Sequence, residues 1–445
     1  MVNFCRFLAI IFVLVGGLEG ARGEEPPVPD AQRTQLAEVA PMPEFLTEAR
    51  IGEELFGSKV GYVHPFVSLA QYYTDNLFNR HDDKDEDFIT VFTPGVWVAF
   101  PAMSQQPLQV STLSSTPGGL DVTRFPIEVY RRLQAYGLYR ADITRHQDFS
   151  EEDNTYQRAE GLLNYNFRGG LSLELLHVYE LEQNPYGTGD APTELDEFTS
   201  NLTQFLANYQ ITPKTRIRGD LSRYTLEYDE DRNAFRERQD MVASLAGFYR
   251  MLPKSSVLLQ YEFIDVDYDE NEVSDSQEHR LLAGLYWDVT VKTRGTIRFG
   301  YSWREVEAAD DRDEAIGEVR LDHRFTPKTS AYVLFSRRIE ETDIRDTQDM
   351  LSHRLQVGYR QALTRRLTGT IDAYYYQNDY RGTRAFDGVL REREDELLGA
   401  KVALGYRFRS WLASALSYTY VERDSNVPTY NYTNNTVFLS LTAAL

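Results

Sequence analysis

Thr296-Ile297-Arg298-Phe299-Gly300-Tyr301-Ser302-Trp303-Arg304 alternates without a break. Successive side chains of an extended chain point to opposite faces, so Ile297, Phe299, Tyr301 and Trp303 share one side and Thr296, Arg298, Ser302 and Arg304 the other. One face suits hydrocarbon and the other suits water. The split recurs with Gly317, Val319, Leu321, His323 and Phe325 against Glu318, Arg320, Asp322 and Arg324. It recurs again with Leu355, Val357 and Tyr359 against Arg354, Gln356 and Arg360. Comparable segments run through 159–167, 171–181, 205–211, 217–221, 241–251, 257–263, 281–289, 367–375 and 398–408. Each is about 10 to 14 residues long, which is the length of a tilted strand that crosses a bilayer.

A soluble sandwich also alternates, and the connections decide between the two. Short basic connections form a loose repeat: Ile211-Thr212-Pro213-Lys214-Thr215, Met251-Leu252-Pro253-Lys254-Ser255, Val289-Thr290-Val291-Lys292-Thr293 and Phe325-Thr326-Pro327-Lys328-Thr329. Leu363-Thr364-Arg365-Arg366-Leu367, Phe167-Arg168-Gly169-Gly170 and Phe408-Arg409-Ser410-Trp411 take equivalent places. Between them lie long acidic connections, around 82–87, 151–153, 229–231, 265–272, 310–314 and 392–396. In an outer-membrane barrel the short turns face the periplasm and the long loops face outward. About nine loops and eight turns predict an all-β, antiparallel up-and-down transmembrane barrel of about 18 strands, with both termini periplasmic. The stretch 101–128 is too long for a turn and rich in Ser, Thr, Pro and Gly over 111–119, which suits a plug, a docking element or a disordered insert. A count of 16 follows if the strands beside it are misread.

Residues 1–23 read as a secretory signal: Arg6 precedes an apolar run over 7–17, and Ala21-Arg22-Gly23 supplies a cleavage site. Residues 24–59, with Pro26, Pro27, Pro29, Pro41 and Pro43, read as a periplasmic tail or linker with a short helix about 44–55, and 60–445 as the barrel. The one cysteine, Cys5, falls in the signal, so disulfides, zinc thiolates and thiol catalysis are excluded together. A net charge of −21 repels nucleic acid. The 29 Tyr and 24 Phe against 6 Met favour strands over helices.

Seven dispersed histidines (His64, His81, His146, His177, His279, His323, His353) offer no metal spacing, and nucleotide and hydrolase motifs are absent. No enzyme, cofactor or metal site is expected. A catalytic constellation assembled from separate strands stands as a third reading. The acidic loops lack the spacing of a calcium loop and read as solvated segments that share divalent ions with lipopolysaccharide. The candidate pore lining is Arg158, Arg216, Arg218, Asp220, Arg250, Glu262, Arg280, Asp288, Arg298, Arg304, Glu318, Arg320, Asp322, Arg324, Arg354, Arg360, Asp372 and Arg407. Glu160 and Glu174 share that face. Two arrangements fit: a ladder of neutralising pairs between strands, or a wall whose field guides a charged polymer or solute. Inward Tyr224, Tyr286, Tyr332, Tyr374 and Tyr376 either fill space or offer stacking surfaces to sugar rings.

Pro65-Phe66-Val67-Ser68-Leu69, Tyr73-Thr74-Asp75-Asn76-Leu77-Phe78, Asp87-Phe88-Ile89 and Thr93-Pro94-Gly95-Val96 carry a resemblance over 61–100. The chain resembles the outer-membrane β-barrel porin 2 family, often found beside exopolysaccharide and capsule genes. The resemblance implies a location in the outer membrane of a Gram-negative bacterium. It implies a conduit for exopolysaccharide or hydrophilic solutes, with polysaccharide and periplasmic export proteins as partners and no catalytic residues. A closed scaffold barrel of an envelope complex is the alternative. The chain ends in Leu445 where most such barrels end in Phe or Trp.

Overall fold

Backbone amides within lipid find no partner except a neighbouring strand, so spanning strands must close on themselves. The computed structural model describes residues 56–445 apart from 107–109, 121–131, 187, 189–193, 271–273, 288–291, 308–309, 343, 346 and 387. Its main sheet has 18 strands joined antiparallel, each to its neighbours in sequence. They are β1 (Phe56–Thr74), β2 (Asp87–Gln105), β3 (Leu133–His146), β4 (Asn154–Asn166), β5 (Leu171–Gln183), β6 (Glu197–Gln210), β7 (Thr215–Tyr228), β8 (Arg238–Leu252) and β9 (Ser255–Tyr268). There follow β10 (Ser276–Trp287), β11 (Thr293–Val306), β12 (Arg312–Thr326), β13 (Thr329–Glu340), β14 (Asp349–Ala362) and β15 (Leu367–Arg381). A small hairpin, β16 (Arg384–Phe386) and β17 (Val389–Arg391), decorates one loop before β18 (Glu394–Arg409), β19 (Leu412–Ser425) and β20 (Tyr432–Ala444). Closure comes from β1 against β20, in register from Phe66↔Ala444 to Thr74↔Thr436. The 18-stranded expectation holds.

The signal and nearly all of the tail lie outside the described residues. Two boundaries move. β1 opens at Phe56, inside the stretch read as tail, because register shifts between Phe56 and Val63 break the alternation there. β2 runs to Gln105, past the expected start of the insert. Pro101 sits just where pairing with β3 has ended at Phe100↔Ala135, an edge position that tolerates a missing N–H.

The repeated turns have a local cause. The Thr212 hydroxyl accepts the N–H groups of Lys214 (3.2 Å) and Thr215 (3.0 Å). Thr364 does the same for Arg366 (3.1 Å) and Leu367 (3.0 Å), and Thr326 for Lys328 (3.1 Å). A threonine two residues before a basic residue therefore closes the turn and leaves the cation in solvent.

The outer face is apolar: Leu245, Leu259, Leu285, Phe299 and Trp303 are exposed. Tyr406, Phe408 and Trp411 cluster at the short-turn end, where amphipathic rings suit the membrane interface. Phe299, midway along β11, tests this face. Phe299→Arg is expected to cost about 2–4 kcal/mol in urea unfolding from lipid vesicles, with a much smaller effect for Phe299→Leu.

Candidate functional site

The chain between β2 and β3 leaves the short-turn end, yet its described part, 110–120, is inside the barrel. The Val110 carbonyl accepts Arg158 Nη2 of β4 (2.5 Å), and the Thr112 hydroxyl donates to Glu180 of β5. A bridge from Thr112 to Leu120 and the bonds Leu113 N–H to Gly119 O (2.9 Å) and Gly119 N–H to Thr116 O (2.8 Å) fold it into a hairpin. Gly118 and Gly119 take φ of 78° and 73°, and a Cβ on Gly119 would strike the Tyr224 ring of β7.

The tip is tied on both sides of the lumen. On one side Arg238 Nη2 donates to Ser114 O (2.5 Å), and Asp240 Oδ2 accepts the Gly118 N–H (2.7 Å). On the other, Glu340 accepts the Ser115 hydroxyl (3.1 Å), Arg338 donates to Thr116 Oγ1 (3.1 Å), and the Glu341 N–H donates to Ser115 O (2.7 Å). Arg238 opens β8 and Glu340 closes β13, so both lie at the long-loop end. The described hairpin thus lies within the lumen with its tip at the outer rim. Of the insert expected at 101–128, the stretch 110–120 occupies the lumen, and 107–109 and 121–128 lie outside the described residues.

The lumen has two unlike halves. Val110 and Leu120 of the hairpin pack with Trp97, Tyr136, Leu162, Leu176, Val178, Leu202, Tyr224 and Leu226 on the inner face of β2–β7. Burying one such aliphatic side chain is worth about 1.5–3 kcal/mol, so the apolar half holds the hairpin where water would otherwise stand.

The other half is charged. Arg298 of β11 meets Glu318 of β12 (3.1 Å) and Glu262 of β9 (4.0 Å), while Arg280 of β10 meets Glu278 (2.6 Å) and Glu262 (3.8 Å). Arg320 lies 3.6 Å from Asp322, and Asp372 of β15 accepts the Tyr332 hydroxyl (3.0 Å). Polar pairs also interrupt the apolar side: Arg158 of β4 bonds Glu160 (2.6 Å) and Glu180 of β5, and Asp220 of β7 accepts Gln204 Nε2 of β6 (2.9 Å). Arg354 donates to Glu340 (2.5 Å). The ladder of neutralising pairs is therefore present. Arg218 and Arg304 keep only 1% of their surface exposed and brace the wall from within it. Arg216 lies over the Phe248 ring (4.3 Å). Arg250, Arg324, Arg360 and Arg407 take inner positions two residues from the periplasmic ends of β8, β12, β14 and β18. Asp288 lies outside the described residues. Tyr224 packs on the hairpin, and the Tyr374 and Tyr376 rings meet tilted at 34°, with centroids 5.0 Å apart.

Sequence reasoning missed Arg238, Asp240, Glu340, Glu341 and Asp349. A signal existed: opposite charges two residues apart share one face of a strand, as in Arg158/Glu160, Arg238/Asp240, Glu278/Arg280 and Arg338/Glu340. Glu341 has no such signature, since it follows β13 and reaches Arg304 of β11 through the fold (2.7 and 2.9 Å) and the Tyr268 hydroxyl (2.7 Å).

Burial opposes the charge of Glu341, but the Arg304 fork, helped by Arg238 and Tyr268, outweighs it and holds the carboxyl below the usual glutamate range. A folded value below the unfolded one contributes stability above the unfolded value, and that contribution is lost as pH falls through the folded value. Stability in urea unfolding, followed down to about pH 3, is therefore expected to fall at the acid end, below the ordinary range of a glutamate. Glu341→Gln is expected to show a smaller acid step.

The closed sheet, apolar exterior and charged interior define an outer-membrane β-barrel of the porin class, in the outer membrane of a Gram-negative bacterium. The chain belongs to the family described as "Putative beta-barrel porin 2", whose model matches residues 130–445. The match begins after the first hairpin, so the residues that carried the resemblance are not part of it. No curated protein matches. Among solved structures the chain is similar to the outer membrane protein OpdK from Pseudomonas aeruginosa, at 10% identity and a TM-score of 0.43, covering 86% of this chain and 99% of that one. It is similar to OccK3 (OpdO) of Pseudomonas aeruginosa at 11% and 0.41, covering 86% and 95%. For OccAB4 of Acinetobacter baumannii the values are 11% and 0.38, covering 87% and 100%.

Proposed function

We propose that the barrel passes small hydrophilic solutes through the gap between the 110–120 hairpin and the charged wall of β9–β15. The observation that carries this reading is the hairpin itself, which packs against the apolar side of the lumen and faces a wall where Glu318, Arg320, Asp322 and Arg324 stay partly exposed. A barrel of this strand number encloses an aqueous channel unless something occupies it. Purified protein in planar bilayers is expected to give discrete conductance steps. Silence from both the intact protein and a variant lacking 110–120 would sink the reading and leave the closed scaffold.

Export of an exopolysaccharide strand is the second reading, favoured by the adjacent inward rings of Tyr374 and Tyr376, with Arg354 over the Tyr376 ring (5.3 Å). Aromatic faces in a polar lumen suit sugar rings. A polymer needs more width than a small solute, so this role requires the hairpin to swing aside, and periplasmic export proteins would be the partners that move it. Added oligosaccharide should then block the current of the hairpin-deleted pore and leave that of a Tyr374→Ala, Tyr376→Ala version unblocked. In either role the acidic loops share divalent cations with lipopolysaccharide.

A further inference from the structure

The two mouths of the barrel carry opposite charge. The nine connections at the long-loop end hold 28 Asp and Glu against eight Arg and Lys, while the eight at the other end hold ten Arg and Lys against three Asp and Glu. The basic end continues into the lumen. Arg250, Arg324 and Arg407 take inner positions near the ends of β8, β12 and β18 and form no ion pair among the described residues. Further in, the charges neutralise one another, as Arg298 does with Glu318 (3.1 Å). The net field along the axis is therefore set by the mouths.

We propose that the pore is polarised: it admits anions from the periplasmic side and cations from the outer side, and it rectifies current. The inference rests on the conduction reading above. With the outer chamber positive, cations are driven into the acidic mouth and anions into the basic one, and both accumulate in the lumen. With the opposite sign both are depleted and conductance falls. The substrate class favoured for outward passage is an anionic hydrophilic solute, because the exposed arginines raise its local concentration at the mouth it enters.

The test is the current–voltage curve of the full chain inserted in one direction in a planar bilayer. Orientation is marked by biotinylating Asp83→Cys in the first loop and blocking with streptavidin from one chamber. In about 0.1 M KCl the current with the outer side positive should exceed the reverse current about twofold or more, falling towards equality in about 1 M KCl as the screening length drops to about 3 Å. Arg250→Gln, Arg324→Gln and Arg407→Gln together should lower the ratio and shift ion preference towards cations, with the strand content by circular dichroism unchanged. Conducting pores with equal or reversed currents in about 0.1 M KCl would overturn the polarised pore and leave conduction standing. Pores that never conduct would overturn both.

Discussion

Removing 110–120 and joining the flanks with a Gly-Ser linker raises single-channel conductance by about threefold or more, because current follows the open cross-section and an 18-stranded barrel leaves an aqueous channel of its own. The sheet survives the deletion, since closure rests on the β1–β20 ladder and not on the hairpin. It does lose stability. Leu162, Leu176, Val178, Leu202 and Leu226 then face a wet lumen, and the Arg238–Asp240 and Arg338–Glu340 pairs lose the backbone and hydroxyl groups that satisfy them. Unchanged conductance in the deletion variant would mean that the hairpin does not limit flow.

Arg304→Met is expected to destabilise the barrel by about 3–5 kcal/mol, the cost of leaving a buried carboxylate without its counter-charge. Arg304 is enclosed completely, with both terminal nitrogens on Glu341 (2.7 and 2.9 Å) and Nε 4.0 Å from Asp349. Asp349 keeps Arg312 and Arg381 (2.5 Å), so the stranded group is Glu341. Because the Glu341 N–H also holds Ser115 O (2.7 Å), the loss should reach the hairpin tip and make the pore current noisy. Arg304→Met combined with Glu341→Met removes both charges and should recover most of the stability in urea unfolding. A single variant as stable as the parent would show that water already reaches this pair.

The strands were legible because each needs only its own residues. Ile297, Phe299, Tyr301 and Trp303 announce β11 whatever it pairs with, and the Thr-x-Lys turns announce the hairpin ends. The charged lining was legible for the same reason: parity alone places Arg298, Arg320 and Glu318 inward. What parity cannot give is what lies across the lumen. Leu176, Val178 and Leu202 point inward with no lipid to meet, and their partner is Val110 or Leu120 from a segment whose Ser, Thr and Gly content suits water equally well. Register decides the rest. Arg298↔Glu318 is a direct cross-strand pair once β11 and β12 are aligned, whereas Arg304 and Glu341 meet only because a loop folds over the opening.

The most direct test of the hairpin's path joins two points that the sequence assigns to opposite sides of the membrane. Ser114 belongs to the connection between β2 and β3 at the periplasmic end, and Asn184 opens an outer loop, yet Ser114 Oγ lies 3.5 Å from the Asn184 side-chain amide. In Ser114→Cys, Asn184→Cys protein, mild oxidation should form an intramolecular disulfide in the outer membrane of intact cells. Two free thiols, with the one at 114 labelled by a membrane-impermeant reagent from the periplasm, would contradict a segment threaded through the lumen.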